Sequence, residues 1–295
     1  MKIIDMHMHT HANGIVVQPE RLISDLNKAG IFGAAAFSVS PGCPPFKNIG
    51  TIEDRTTDIL RLCKGYPDRL YPVLFIHPDE ENVIDEVKKA SDRGIVAYKM
   101  ICNTYYVGDQ KSMDLLNVIA SLDKPVIFHS GILWDGNVSS KYNKPINWEA
   151  LLDIPNLRFS MGHCSWPWID ECIALYGKFL NAYSRRPDIS SEMFFDLTPG
   201  TPEIYREELI RKLFTVGYDV ENNIMFGLDN RASGYNFTRA KEWLELDGRI
   251  MDSLNITNKI KEKIYYTNFL RFIGKDNTKV DHIIPVADSS VKWGI

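Results

Sequence analysis

Residues 3–9 read Ile-Ile-Asp-Met-His-Met-His, a short apolar strand that ends in two histidines spaced two apart. Side chains alternate faces along a strand, so we expect His7 and His9 on one face and the neighbouring Ile and Met side chains on the other. Two imidazoles at the exit of one buried strand can bind a single metal ion. The stretch therefore predicts two ligands of a metal site, whose remaining ligands are expected at other strand ends.

Apolar runs of strand length alternate with amphipathic runs of helix length along the rest of the chain. The predicted strands are 2–8, 32–38, 71–76, 95–101, 125–129, 157–162, 192–197 and 223–228. Helical patterns follow them near 19–29, 52–63, 80–92, 111–122, 147–153, 167–182, 203–215 and 237–246. Strands that alternate with helices pair in parallel through βαβ units, so the pattern predicts an α/β protein.

Eight such units over 295 residues indicate a single (β/α)8 TIM barrel. A doubly wound sheet is the alternative, but it usually has fewer strands for this length and leaves the histidine pair unexplained. No linker rich in proline, glycine or serine divides the chain. We therefore expect one catalytic barrel domain over 1–275, which includes a closing helical segment near 257–273. A C-terminal tail over 276–295 is expected to pack on the barrel or on a neighbouring subunit.

The composition argues against several classes of protein. The 34 Lys and Arg and the 38 Asp and Glu give a net charge of -4 without a basic stripe, so nucleic acid is not an expected partner. No apolar run approaches the roughly 20 residues that a membrane span needs. The five cysteines are scattered and no signal peptide precedes the first strand, so we expect a reduced, cytoplasmic setting.

Residues that can bind a metal recur where the predicted strands end. His129 ends the fifth strand, His163 follows the sixth and Asp229 follows the eighth. Active sites of this fold lie at the carboxyl ends of the strands, so closure of a barrel would bring these side chains to His7 and His9. Each residue alone has an ordinary structural explanation, as a hydrogen-bonded core histidine or a capping aspartate. Together they predict a divalent metal site.

Four stretches carry a resemblance to a known family. They are Ile-Asp-Met-His-Met-His at 4–9, Met-Gly-His-Cys at 161–164, Phe-Gly-Leu-Asp at 226–229 and the closing segment 264–274. In this order they resemble the amidohydrolase superfamily of metal-dependent hydrolases. Within it they are similar to the amidohydrolase-2 branch, which includes aminocarboxymuconate-semialdehyde decarboxylase-like and lactonase-like enzymes. The loops after His163 and Asp229 depart from the pattern of that branch, so its substrates are not carried over.

The resemblance implies a metal-dependent hydrolase that cleaves an amide, lactone or ester of a small organic acid with metal-activated water. The implied metal ligands are His7, His9, Asp229 and, in one of two roles, His129. Asp229 would also accept the proton of the attacking water, and His129 or His163 would stabilise the developing oxyanion. A non-oxidative decarboxylase or hydratase of a small unsaturated carboxylic acid is the alternative, because it uses the same site.

Lys99, at the end of the fourth strand, decides how many ions are expected. In binuclear members of the superfamily a lysine in that register is carbamylated and bridges two metals, and His129 and His163 would then hold the second ion. Relatives in the amidohydrolase-2 branch resemble mononuclear enzymes, which would leave Lys99 free to bind an anionic substrate. We favour one ion, with zinc first, because mixed nitrogen and oxygen ligands suit zinc and also Mn, Fe, Co or Ni.

Residues in loops near the mouth complete the predicted site. Arg231 either binds a substrate carboxylate or is an exposed loop residue, and Trp134 and Trp166 either form part of an aromatic lid or pack at a dimer interface. Asp5 either orients a ligand imidazole or is tied to neighbouring backbone. We expect a small, anionic substrate as the main partner, and a homo-oligomer, with a homodimer as the first candidate.

Overall fold

The computed structural model describes residues 1–10, 17–46, 50–186, 188–280 and 282. Across these residues a parallel sheet runs through nine short strands, in the order β8-β7-β6-β5-β4-β3-β2-β1-β9. In chain order they are β1 Ile4–His9, β2 Gly33–Phe37, β3 Leu70–Phe75, β4 Ala97–Met100, β5 Val126–Phe128, β6 Arg158–Met161, β7 Glu192–Asp196, β8 Ile224–Met225 and β9 Asn230–Arg231.

The two ends of the sheet meet. β8 pairs with β7, and β9 pairs with β1. Between β8 and β9, the Met6 N–H donates to the Phe226 carbonyl at 3.0 Å. β8 and β9 are therefore two pieces of one eighth strand that closes the sheet against β1, and the predicted (β/α)8 barrel is confirmed.

Helices follow the strands, and most of them cover the outside of the barrel. They are α1 Pro19–Ala29, α2 Ile52–Cys63, α3 Val83–Asp92, α4 Gln110–Ser121, α5 Ile169–Arg185, α6 Arg206–Thr215, α7 Phe237–Ser253, α8 Asn258–Glu262 and α9 Asn268–Phe272, with a π-helical turn at Lys263–Thr267 between the last two. α1 begins at Pro19, whose fixed φ suits a first turn, and ends at Gly30 in the left-handed region. In the segments that the structure describes, no helix is both long and apolar enough to cross a bilayer.

One predicted helix has a different geometry. Between β5 and β6 the chain forms a 3-10 helix over Pro145–Asp153, where an α-helix was expected near 147–153. Trp148 is fully buried, so the segment still covers the barrel. A proline at 155 disfavours the helical conformation at Ile154, which is extended, and the segment therefore ends before a longer helix can form.

Two apolar layers hold the barrel together. The larger lies between the sheet and the helices. The smaller fills the barrel and is formed by Ile4, Met6, Ala35, Phe37, Tyr71, Val73, Ala97, Ile127, Phe194 and Met225, together with Phe269 and Phe272 of α9 and Ile273 directly after it. Asn268 anchors that helix by donating to the backbone carbonyls of Ile224 and Glu221, at 2.8 and 2.9 Å. α9 therefore covers the amino end of the barrel.

β1 contains a bulge. Asp5 pairs with Ala34 and Met8 pairs with Ala36, so three steps along β1 match two along β2. A bulge inserts one unpaired residue and shifts the alternation of side chains by one. The alternation of inward-facing and outward-facing side chains along β1 is therefore shifted by one residue after the bulge.

The shift changes which residues of β1 face inward. Ile4 and Met6 lie in the cluster that fills the barrel, whereas Met8 lies in the outer layer. His7 and His9 both line a cavity at the carboxyl end. The expectation that Ile4 and Met6 would face away from the two histidines is therefore wrong, because the bulge lets both Met6 and His7 point into the barrel.

Of the predicted tail over 276–295, the structure describes 276–280 and His282. His282 lies at the amino end of the barrel, where its Nε2 is 3.1 Å from a Glu192 carboxylate oxygen. The rest of the tail lies outside the described residues, so its packing stays a prediction.

Candidate metal centre and active site

A cavity of about 170 Å³ opens at the carboxyl end of the barrel. Its wall brings together most of the residues that the sequence singled out, from β1, from the end of β4 and from the loops after β5, β6 and β8. It is lined by His7, His9, Lys99, Ile101, His129, Ser130, Ile132, Trp134, His163, Trp166, Gly200 and Asp229. Barrel closure therefore places most of the predicted site residues around one small cavity.

Among the described residues, His7, His9 and Asp229 form a group that could hold a metal ion, because one ligand atom from each lies within 4.8 Å of the others. The two Nε2 atoms are 3.2 Å apart. Asp229 Oδ1 is 3.3 Å from His9 Nε2 and 4.0 Å from His7 Nε2. Two ligand atoms that are each about 2.1 Å from one zinc ion at a tetrahedral angle lie about 3.4 Å apart. The donor atoms and their spacing therefore fit a single divalent ion.

Asp196, at the end of β7, is a residue of the site that the sequence reasoning missed. Its Oδ2 lies 2.7 Å from His7 Nδ1, and both side chains are almost completely buried. A carboxylate that accepts from Nδ1 leaves Nε2 with its lone pair for a metal. The signal was present, because an acid ends the seventh strand in the same way that His129 ends the fifth.

Asp5 does not orient an imidazole. Its Oδ1 accepts from the backbone N–H groups of His7 and Leu228, at 3.1 and 2.9 Å, and its Oδ2 accepts from the Tyr235 hydroxyl at 2.9 Å. Burial raises the pKa of Asp5 to about 7, against these hydrogen bonds. Of the two interpretations of Asp5, the tie to neighbouring backbone is confirmed, and Asp196 takes the orienting position.

His163 is fixed from behind by the loop after β7. Its Nδ1 lies 3.3 Å from the Thr198 carbonyl, which can only accept, so Nδ1 carries the proton. A Cβ at Gly200 would lie 2.6 Å from the His163 ring, so only glycine lets the backbone approach this closely. In the neutral ring, Nε2 is then left with a lone pair.

His129 lies in the same cavity but outside the group of three. Its Nε2 donates to the Ile132 carbonyl at 3.2 Å, and its ring packs edge to face on His163, with centroids 5.0 Å apart. The neutral ring keeps a lone pair on Nδ1. Its assignment as a fourth ligand or as a catalytic group stays a prediction.

The turn after β6 has an unusual backbone. His163, Cys164 and Ser165 have φ of 57°, 45° and 61°, three consecutive residues in the left-handed region without a glycine. That conformation costs roughly 1–2 kcal/mol per residue with a Cβ. Asp229 also has a positive φ, of 53°. Two candidate catalytic residues therefore lie on strained backbone, which is typical of functional sites.

Lys99 is the buried cation of the cavity. Its side chain is 1% exposed and its Nζ lies 5.3 Å above the Phe37 ring, without a hydrogen-bond partner among the described residues. Burial lowers the pKa of Lys99 to about 8, although the nearby carboxylates of Asp196 and Asp229 oppose that shift. A buried ammonium without a partner is suited to an anion that enters the cavity.

Burial favours the neutral form of three imidazoles of the cavity. Burial lowers the pKa of His7 and of His129 well below the usual value, and lowers that of His163 as well. The pKa of Asp229 is lowered: burial acts to raise it, but the electrostatic effect of the surrounding His7, His9, His163 and Lys99 together outweighs burial. Neutral histidines and an ionised aspartate are the protonation states that a metal ligand requires.

The loop residues that were predicted near the mouth differ in whether they line the cavity. Trp134 and Trp166 line the cavity, and their rings stack with centroids 6.4 Å apart and an angle of 20°. Arg231 is exposed on β9 and is not part of the cavity wall, so its assignment as a substrate ligand stays a prediction without support from this geometry.

A sequence model of the amidohydrolase family matches residues 47–275. The chain belongs to the amidohydrolase family. The matched segment of this amidohydrolase includes Lys99, His129, His163, Asp196 and Asp229, and it begins after β1, which carries the two histidines. No curated protein matches the chain in sequence.

Solved structures of low sequence identity share the fold of this amidohydrolase. Dihydroxybenzoic acid decarboxylase of Polaromonas sp. JS666, solved with bound manganese and the inhibitor 2-nitroresorcinol, has a TM-score of 0.62 at 13% identity, with 92% of this chain and 97% of that chain covered. 2,6-Dihydroxybenzoate decarboxylase from Rhizobium has a TM-score of 0.61 at 14% identity, with 93% of this chain and 99% of that chain covered. Dihydroorotase from Campylobacter jejuni has a TM-score of 0.58 at 16% identity, with 95% of this chain and 84% of that chain covered.

Proposed function

We propose that this amidohydrolase uses one divalent metal ion to hydrolyse an amide, lactone or ester of a small organic acid. The observation that carries the proposal is the group of His7, His9 and Asp229, whose ligand atoms are spaced around a common centre. Zinc is the first candidate, and manganese the second, since it is bound in one structure of the same fold. The same proposal takes a homodimer as the working assembly.

A bound ion would supply Lewis acidity and lower the pKa of water towards about 7. The chain's own residues then divide the remaining work. Asp196 holds the proton of His7 on Nδ1 and so presents Nε2 to the site. Asp229 faces the two imidazoles with Oδ1, and Oδ2 is the proposed acceptor for the proton of the attacking water.

His163 is the proposed second proton carrier. In its neutral form the Nδ1–H is engaged by the Thr198 carbonyl, so Nε2 can only accept. A proton passed from Asp229 to Nε2 would convert His163 into a donor for the developing oxyanion or the leaving group. His129 has the same option at Nδ1, or serves as a further metal ligand.

The substrate is proposed to be a small anion with a planar or apolar part. Lys99 offers a buried ammonium without a partner among the described residues. The stacked Trp134 and Trp166 offer a flat apolar wall on the same cavity. The cavity of about 170 Å³ limits the part that can be enclosed to a small acid.

A non-oxidative decarboxylase is the second candidate. It is favoured by the combination of Lys99, which can bind a carboxylate, with an aromatic wall, and by the two dihydroxybenzoate decarboxylases that share the fold. Decarboxylation releases carbon dioxide and consumes no water, so the products distinguish it from hydrolysis.

The test uses protein loaded with zinc or manganese and a panel of N-acyl amino acids, lactones and phenyl esters of small acids, with 2,6-dihydroxybenzoate as the decarboxylation probe. We expect turnover of a panel member to be lost on chelation, and to fall about 10²–10⁴-fold in Asp229→Asn. Asp58→Asn, an exposed aspartate that pairs with Arg61, is the control. Unchanged turnover in Asp229→Asn would rule out its role as the base.

A further inference from the structure

The left-handed turn at 163–165 needs a contact from outside to hold it. Three consecutive residues with a Cβ adopt positive φ, and no glycine among them relieves the strain. Such conformations persist only where the surrounding structure over-determines them. Contacts that hold the turn therefore affect the position of His163.

Ser130, in the loop after β5, makes one such contact. Its side chain is 1% exposed, and its hydroxyl donates to the Gly162 carbonyl at 2.7 Å, immediately before the turn. The Ser165 hydroxyl, at the end of the turn, lies 2.8 Å from the same oxygen. Because the single proton of Ser130 is used on the carbonyl, Ser165 must donate to Ser130. One buried hydroxyl thus joins both ends of the turn.

The backbone next to Ser130 adds a second contact. The Ile132 N–H donates to the Trp166 carbonyl at 2.9 Å. A Cβ at Gly131 would lie 2.3 Å from the same carbonyl oxygen, so the two loops are in close contact there. Residues 130–132 therefore hold 162–166 from one side, while the loop after β7 holds His163 from the other.

We propose that Ser130 is a positioning residue whose hydroxyl locks the left-handed turn and thereby fixes the His163 ring against His129. Ser130 follows His129 directly, so the same contact sets the relative position of the two imidazoles, whose centroids are 5.0 Å apart. Its effect on turnover rests on the proposed function, whereas its effect on the turn does not.

The structural test is a crystal structure of the metal-loaded Ser130→Ala variant beside the wild type. We expect at least one of residues 163–165 to return to negative φ and His163 Nδ1 to leave the Thr198 carbonyl, with the same metal content per chain. Ser112→Ala is the matched control, since Ser112 is a fully buried serine in α4 whose hydroxyl has no partner among the described residues. A turn that keeps all three positive φ values in Ser130→Ala would overturn the proposal, whether or not the wild type turns over a panel substrate.

The kinetic test separates positioning from a general loss of structure. On a panel substrate, Ser130→Ala is expected to lower kcat about 10- to 100-fold with KM little changed. Ser130→Thr, which keeps a hydroxyl, and Ser130→Ala combined with Ser165→Gly, which removes the strain at position 165, should both recover most of that loss. If the double variant is no better than Ser130→Ala while the Thr variant is also inactive, the hydroxyl does not act by holding the turn and the proposal fails.

Discussion

β7 carries an acid at each end, half-buried Glu192 and fully buried Asp196, and the two acids have opposite pKa shifts. Glu192, at the amino end, accepts from Arg271 Nη1 on both oxygens, at 2.7 and 2.8 Å, and from the Asn223 amide at 2.9 Å. Asp196, at the carboxyl end, contacts His7 Nδ1 and the Thr198 N–H. The strand is the same, but only the amino end pairs its acid with a permanent cation.

The pKa shifts of Glu192 and Asp196 reflect the groups that each carboxylate contacts. Burial acts to raise the pKa of both acids, but hydrogen bonds from His282 and the ion pair with Arg271 lower that of Glu192 to about 2. The pKa of Asp196 is raised, because burial outweighs His163 and its other partners. The amino end is therefore built for stability, whereas the carboxyl end keeps an acid whose partner is a candidate metal ligand.

The largest stability effect is expected at the amino end. Glu192→Gln should lower the free energy of unfolding by about 3 kcal/mol, since it removes a carboxylate whose pKa falls from 4.5 to about 2 on folding. Urea unfolding at neutral pH measures the change. The metal affinity of the variant should stay as in the wild type. A loss of metal binding would show that the amino end of β7 also contributes to the metal site.

The difference in unfolding free energy between wild type and Glu192→Gln should disappear at acidic pH. A carboxyl with a depressed folded pKa stabilises the protein above its unfolded pKa, and that stabilisation is lost as the pH falls from about 4.5 towards about 2. The gap in unfolding free energy between wild type and Glu192→Gln should therefore be constant above this window and narrow within it. A gap that widens on acidification would show that Glu192 is not the ionised partner.

At the carboxyl end the expected effect is on the metal. Asp196→Asn should weaken binding of zinc or manganese about 10- to 100-fold, because His7 loses the carboxylate that holds its proton on Nδ1. Competition with a chelator of known affinity measures the change. Asp5→Asn is the control, since Asp5 is equally buried but bonded to backbone and to Tyr235. An equal loss in both variants would contradict the orienting role of Asp196.

The smallest effect belongs to His282. Its Nε2–H donates to Glu192 at 3.1 Å, and its ring stacks on Tyr183 with centroids 5.4 Å apart. His282→Ala should lower the unfolding free energy by about 1 kcal/mol, with no change in metal binding. Lys279→Ala, an exposed change in the same segment, serves as the control. Equal stability of the two variants would mean that the tail does not anchor at this end.

The barrel could be predicted from the sequence because its signal is periodic. Apolar strands of similar length alternate with amphipathic helices, and a residue that ends a strand must lie at one end of the barrel whatever the details of packing. His7, His9, His129, His163 and Asp229 were therefore correctly placed around one cavity. Asp196 met the same criterion and was overlooked.

What could not be predicted depends on the backbone between regular elements. The bulge in β1 is a register shift against β2, and no pattern within residues 4–9 reveals it, so the side on which Asp5 lies was open. The turn at 163–165 has no glycine to mark its left-handed conformation. The contacts that hold it come from Ser130 and from the loop after β7, which are distant in sequence, and such contacts form only once the barrel has closed.

The binding of one divalent ion by His7, His9 and Asp229 can be examined in an anomalous difference map from crystals grown with manganese or zinc, together with metal analysis of the same protein. We expect one ion per chain, among these three side chains, with Lys99 unmodified. Two ions bridged by a carbamate on Lys99, or no ion among the three residues, would rule out the proposed mononuclear site.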